Sequence, residues 1–291
     1  MPFRHYLLAL AVVFVWGTNF VVIKLGLNQF PPFLFAALRF AASSLPFLLF
    51  VRRPAVTWGR LAAFGLLLGV GQFGLMFLAM RADIAPGLAS LLMQSQVLFT
   101  IVLAMLIYHE RPRALQGLAL LLAASGFALI ARHTADHASL TPFGLALVLG
   151  AAFSWSAANL VARGAGRIDA LGFMIWSSVF AVLPLCALSW FFDGRAAISA
   201  GLTGAGAVAW GAVIWQAIGN TLFGYSAWNW LLARHPTSTV APLALLVPVF
   251  GMSASVLWLG EAMQGWKLLA AALVIGGLAL NMFLARRRVG V

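Results

Sequence analysis

One stretch of the chain occurs twice. Trp16-Gly17-Thr18-Asn19-Phe20-Val21-Val22-Ile23-Lys24 returns as Trp155-Ser156-Ala157-Ala158-Asn159-Leu160-Val161-Ala162-Arg163, 139 positions later, with Phe14 falling on Phe153. Each copy is an apolar run holding a Trp and an Asn and closed by one basic residue. Other pairs follow in the same order: Pro46 with Pro184, Phe73-Gly74 with Phe223-Gly224, Glu110 with Glu261, and Gly126 with Gly277. The offset drifts from 138 to 151, the signature of two related halves joined through loops of unequal length. The expected division is residues 1–134 and 135–291.

The solvent of such a chain is lipid. Of the 291 residues 63% are hydrophobic and 8% charged, too few charges to cover a water-soluble domain. Spans of roughly 20 mainly apolar residues are expected at 6–24, 33–51, 60–80, 85–107, 114–131, 143–162, 170–191, 206–231, 237–259 and 266–285. The first follows Arg4-His5 as a signal peptide would. It runs on through Trp16 and Asn19 without a small-residue cleavage pattern, so a retained span is expected. A lone Cys186 excludes an internal disulfide framework and a four-cysteine zinc site. Strand-like alternation is missing, and the expected fold is an all-α bundle of ten transmembrane helices.

The net charge of +12 is a statement about orientation rather than about nucleic acid. Arg4, Arg52, Arg53, Arg60, Arg111, Arg113, Arg163, Arg167, Arg234, Arg286, Arg287 and Arg288 collect on one side of the ten spans. Lys24, Arg81, Arg132, Arg195 and Lys267 collect on the other, with Arg39 inside a span. This bias places both termini in the cytoplasm. Five spans per half is an odd number, so the halves enter the membrane in opposite senses. Inverted repeats of this kind belong to secondary transporters that alternate access around a midplane site.

Three motifs are set aside. Gly69-Val70-Gly71-Gln72-Phe73-Gly74 matches the dinucleotide-binding pattern but lies in mid-span, without the strand that pattern needs. Close helix contact through Gly65 and Gly69 is the better account. His109-Glu110 lacks a second zinc ligand at Arg113, and His133 with His137 falls in the loop between the halves. No cofactor motif remains. The six acidic residues, Asp83, Glu110, Asp136, Asp169, Asp193 and Glu261, all lie at or near span ends and no His lies within a span, which argues against an intramembrane enzyme.

Polar groups inside spans carry more information, because an unpaired amide in hydrocarbon is costly and needs a partner or a wet cavity. They are Asn19, Gln72, Gln94, Gln96, Asn159, Gln216 and Asn220. Gln216, Asn220 and Phe223 follow α-helical spacing along one stripe. Aromatic faces beside neutral amides suit a small amphipathic solute. The expected substrate-contacting residues are Trp16, Asn19, Arg39, Gln72, Met76, Gln94, Trp155, Asn159, Trp215, Gln216 and Asn220. Interhelical glue is the competing role for each. Arg39, about two turns from a span end, is expected to reach outward toward a loop carboxylate such as Asp83, Asp193 or Glu261, to open helix carbonyls, or to a substrate carboxylate. Pro86, Pro242 and Pro248 are expected to break spans four and nine.

The Trp16-Gly17-Thr18-Asn19-Phe20 opening, the Leu38-Arg39-Phe40 triplet and the apolar runs ending at Glu110 and Glu261 resemble the drug/metabolite transporter superfamily, EamA type. Within it the chain is most similar to bacterial amino-acid exporters, including those for aromatic amino acids. The resemblance covers essentially the whole chain. The second half departs from it, with Ser156 for the Gly and Ser177 where the first half has Arg39. The resemblance implies amino-acid efflux across the inner membrane, through a cavity between the halves that opens alternately to each side. The expected partners are the small-molecule substrate and the lipid bilayer, with no nucleic acid, and the protein is expected to act as a monomer. Proton- and sodium-coupled carriers usually place a carboxylate or His at membrane depth. This chain supplies none there, so a facilitator without an obligatory coupling ion is expected. An exporter of drugs or other neutral metabolites, with proton coupling, is the alternative.

Overall fold

The computed structural model describes residues 1–108, 114–133, 140–165, 169–235 and 237–286. Among these residues the protein is helical throughout, with one isolated antiparallel bridge between Ile84 and Leu140. The first half runs α1 (Phe3–Leu27), α2 (Pro32–Ser44), α3 (Trp58–Gly65), α4 (Leu75–Ala82), α5 (Pro86–Leu92), α6 (Ser95–Tyr108) and α7 (Ala114–Arg132). A π-helical segment, Leu66–Gly74, joins α3 to α4. The second half runs α8 (Pro142–Arg163), α9 (Ala170–Leu188), α10 (Arg195–Gly204), α11 (Ala207–Ile214), α12 (Gly224–Arg234), α13 (Thr237–Val240), α14 (Leu246–Leu259) and α15 (Gly265–Arg286). A second nine-residue π segment, Trp215–Phe223, joins α11 to α12.

Proline and short polar side chains set the starts. Pro32, Pro86 and Pro142 stand in the first turns of their helices, where a missing N–H costs nothing. The Thr141 side chain accepts from Gly144 N and caps α8, and the Asp169 carboxylate accepts from Leu171 N and Gly172 N and caps α9. Gly260, at φ 66°, ends α14 in the left-handed conformation that a glycine adopts without strain.

Seven helical stretches are long and apolar enough to cross a membrane, and the pair Arg195–Gly204 and Ala207–Leu232, bent by 98°, supplies an eighth. The shorter apolar helices Pro32–Phe47 and Gly117–Arg132 lie where spans two and five are expected. The perimeter is apolar: Leu49, Leu183, Phe191 and Leu257 are each at least 78% exposed, a surface that lipid rather than water can cover. Helix α10 is an addition in the stretch that the hydropathy reading left as the connection between spans seven and eight. Pro86 starts α5 rather than breaking span four. The break falls at Met93 and Gln94, and its counterpart in span nine is the 3-10 turn Ala241–Leu245 around Pro242.

The helices pack in reciprocal pairs. α1 lies against α14 and the α11–α12 element, while α8 lies against α6 and the α3–α4 element. α2 faces α9, and α7 faces α15. Small residues set these approaches. A β-carbon at Gly65 would overlap the Ser177 carbonyl oxygen, and one at Gly69 would overlap the Ala181 side chain. The two glycines therefore seat one turn-spaced ridge of α9 in direct backbone contact. Gly126 faces the Ala270 carbonyl, and its sequence counterpart Gly277 faces the Ala119 carbonyl across the α7–α15 interface.

Candidate functional site

The second π segment builds the polar centre of the molecule. In a π-turn the hydrogen bond spans five residues rather than four, so Thr221 comes over Gln216. The Thr221 hydroxyl donates to the Gln216 carbonyl at 2.8 Å. The same hydroxyl accepts from Arg39 Nη2 on α2 at 2.9 Å. Gln216 in turn donates from Nε2 to Asn19 Oδ1 on α1 at 2.6 Å. Trp16, one turn before Asn19, donates its indole N–H to the Asn220 carbonyl at 3.3 Å. Arg39, Asn19, Gln216, Asn220 and Thr221 are all buried. A single network thus ties α1 and α2 to the α11–α12 element.

Arg39 departs furthest from expectation. It is 1% exposed, does not reach outward and pairs with no carboxylate among the described residues. Its guanidinium carbon lies 3.6 Å above the centroid of the Phe73 ring and 4.9 Å from that of Phe40. A desolvated cation over an aromatic face gains about 2 kcal/mol, whereas taking a charge out of water costs several kcal/mol. One neutral hydrogen bond and two ring faces do not close that gap. Among the described residues, Nε and Nη1 of Arg39 have no hydrogen-bond partner, and Oε1 of Gln216 has none either.

The other expected residues divide. Gln72 is buried in the first π segment with Oε1 unpaired, and Met76 packs in the apolar core. Trp215 is half-buried with its indole N–H unpaired. Gln94 lies at the break in span four and donates to the Ala244 carbonyl at the break in span nine, at 3.4 Å. Trp155 and Asn159 are half-buried on α8 and stand outside the Asn19–Gln216 network, although their counterparts Trp16 and Asn19 are inside it. Gln96 offers its carbonyl to Ser156 Oγ at 2.7 Å. Phe223, expected on the stripe with Gln216 and Asn220, is 38% exposed because the π-turn shifts the register. Thr221 and Phe73 are the residues that sequence reasoning passed over. The matched Phe73-Gly74 and Phe223-Gly224 pairs, which close the two π segments, were the available signal.

The profile of the EamA-like transporter family matches residues 3–132 and again 142–283. The chain belongs to that family. Among its relatives, a protein of Salmonella typhimurium named "Probable amino-acid metabolite efflux pump" is 36% identical over 280 residues, covering 95% of this chain and 94% of the relative. An Escherichia coli protein of the same name is 36% identical over 295 residues, covering 100% and 99%. A solved crystal structure, 19% identical, aligns over 99% of both chains with a TM-score of 0.63 and shares the fold. Family and apolar helices together make this a multi-pass protein of the inner membrane, and the family and the relatives' names point to a transporter rather than an enzyme.

The acidic groups of this family member lie away from the polar centre. Asp83 accepts from Thr141 Oγ1 at 2.8 Å, and Asp193 accepts from Leu34 N at 3.0 Å. Glu261 accepts from Gly87 N at 3.0 Å, from Lys267 Nζ at 3.0 Å and from Ser255 Oγ. It caps the short α5 and joins it to the end of α14. Glu110 and Asp136 lie outside the described residues. A cavity of about 310 Å³ opens between the α1–α2 turn and α10, lined by Leu27 to Pro31, Arg81, Ala197, Ala200, Gly201 and Gly204, and it shares no residue with the Arg39 network.

Proposed function

We propose that this protein exports amino acids or close metabolites of them across the inner membrane. Two inverted five-span halves, residues 1–134 and 135–291, would alternate access to a site at membrane depth. The observation that carries this reading is the buried Asn19–Gln216–Thr221–Arg39 network, which joins the first half to the second through a π-helical segment. Polar groups of this kind at membrane depth mark substrate pathways, and irregular helix is tolerated there where it is buried or lines a cavity. Support for two halves comes from the double match to the family profile, the two nine-residue π segments and the reciprocal packing. Support for the substrate class comes from the names of the 36% identical relatives. Aromatic side chains are favoured because Trp16 packs at 5.5 Å from Tyr225 and 5.2 Å from Trp228 beside the network.

Facilitated export without an obligatory coupling ion is the energetics we favour. Asp83, Asp193 and Glu261 are engaged in structural contacts, and the polar centre is made of neutral groups around one Arg. A buried cation also argues against lipophilic cationic drugs as substrates. Reconstitution into liposomes with a labelled amino-acid set tests this. Exchange and downhill flux of at least one amino acid are expected. Accumulation well above the outside concentration under an imposed pH or sodium gradient would overturn the facilitator reading.

A further inference from the structure

The network contains a cation with no counter-ion among the described residues, and one edge of it makes no hydrogen bond. A guanidinium carries five N–H groups in a plane, and Thr221 takes one hydrogen of Nη2. Whichever Nη2 hydrogen that is, one two-pronged edge stays complete: Nε with Nη2, or Nη1 with Nη2. Phe73 lies against the guanidinium, its ring centroid 3.6 Å from the central carbon, and takes up none of its hydrogen bonds. Neither Nε nor Nη1 is hydrogen-bonded among the described residues, although both are buried. The three acidic residues Asp83, Asp193 and Glu261 are occupied elsewhere, and Asp169 caps α9. The equivalent position in the second half is Ser177, wholly buried against Gly65, so the device is single rather than duplicated.

We propose that Arg39 binds the carboxylate of the transported amino acid, which takes the unbonded edge of the fork as a planar two-oxygen partner. The substrate's amino group then meets the unpaired Oε1 of Gln216, a buried acceptor joined to Arg39 through Thr221 in the same network. The inference rests on the export reading and deepens it. The protein supplies the positive charge and the substrate supplies the negative one, so the site is electrostatically complete only when loaded. An amide, an ester or an amine of the same shape leaves the cation buried and unpaired, and is rejected for that reason.

The experiment uses full-length protein purified in detergent, followed by thermal shift. It is titrated with each common amino acid, with the carboxamide of whichever binds tightest, and with phenylpropionate, a carboxylate without an amine. Arg39→Met and Arg39→Lys are titrated alongside. The wild type is expected to reject the carboxamide. Arg39→Met is expected to lose roughly 30-fold or more in affinity for the amino acid, and Arg39→Lys to recover only part of it, since an ammonium lacks the fork. Without ligand, Arg39→Met is expected to melt no lower than the wild type, whereas a structural Arg39 would lower it. Should Arg39→Met fail to fold, Arg39→Lys carries the comparison. Equal affinity for the amino acid and its carboxamide, or undiminished affinity in the variants, overturns the proposal and leaves export untouched. If phenylpropionate binds through Arg39 while no amino acid binds, the anion site stands and the amino-acid reading fails. If neither binds in an Arg39-dependent way, the proposal is wrong.

Discussion

Replacing Thr221 by Val keeps the branched shape and removes one hydroxyl, so it isolates what that oxygen does. The Gln216 carbonyl keeps a five-residue backbone partner in the π segment, and the loss falls mainly on Arg39, whose only hydrogen-bond acceptor among the described residues is Thr221 Oγ1. A hydrogen bond to a charged group contributes about 1.5–3 kcal/mol, well above the roughly 0.6 kcal/mol average for polar contacts between membrane helices. Thr221→Ser keeps the hydroxyl and loses one methyl, at about 0.5–1.5 kcal/mol by analogy with Ile→Val. The expected order of stability is therefore wild type, then Ser, then Val. The assay is unfolding in mixed micelles by added denaturing detergent, read by near-ultraviolet circular dichroism. Combining Thr221→Val with Arg39→Met should cost less than the sum of the two, because the second change removes the charge that the first leaves stranded. A Ser variant as unstable as the Val variant would refute the reasoning and reduce Thr221 to a packing residue, as would a Val cost near 0.6 kcal/mol.

Further outcomes follow from other contacts. Gly69→Val should separate the first π segment from α9 and lower the melting temperature through a loss of about 3 kcal/mol or more, since the new atoms overlap Ala181; an unchanged melting temperature would contradict that contact. Glu261→Gln should destabilise by about 3–5 kcal/mol, because Lys267, 3% exposed, is left as an unpaired buried charge; a smaller change than in exposed-charge controls would count against the buried pair. His235 is held below the ordinary 6.5 by desolvation first, and then by His5, 2.6 Å away, the N-terminal amine and Arg234. The unfolded chain thus binds more protons than the folded one as pH falls through 6.5, so stability should drop on acidification, with His235→Gln flattening that limb of a melting-temperature profile against pH. Reporter fusions after Arg53 should read cytoplasmic and one after Asp136 external; the same side for both would break the inverted arrangement.

Much of the architecture is written in local chemistry. Lipid immersion follows from the scarcity of charge, and helix follows from lipid, because each backbone N–H and C=O must find a partner within its own segment. Pro32, Pro86, Pro142, Thr141 and Asp169 mark helix starts by rules that act over three or four residues. The spacing of Gly65 and Gly69 foretells a close helix approach, although its partner, Ser177 and Ala181, is decided by the bundle. Asn19, Gln216 and Arg39 could be suspected from composition alone, since polar side chains are costly in hydrocarbon.

Their arrangement could not. A stripe drawn at α-helical spacing puts Phe223 beside Gln216 and leaves Thr221 out, and the π-turn reverses both. A single extra residue per turn is invisible to a periodicity argument, because its cost is repaid by contacts with α1 and α2 that are distant in the chain. The same holds for Arg39: its position in span two implied an outward reach, and only the packing of Phe73 and Thr221 around it turned it inward. Trp155 and Asn159 repeat the letters of Trp16 and Asn19 but not their hydrogen bonds, since the neighbour of α8 is the first π segment, which carries Gln72 rather than Gln216. Sequence determined the solvent, the helices and the suspects; which of the suspects meet is decided by tertiary structure, where the energy of a buried polar group depends on the atoms that surround it.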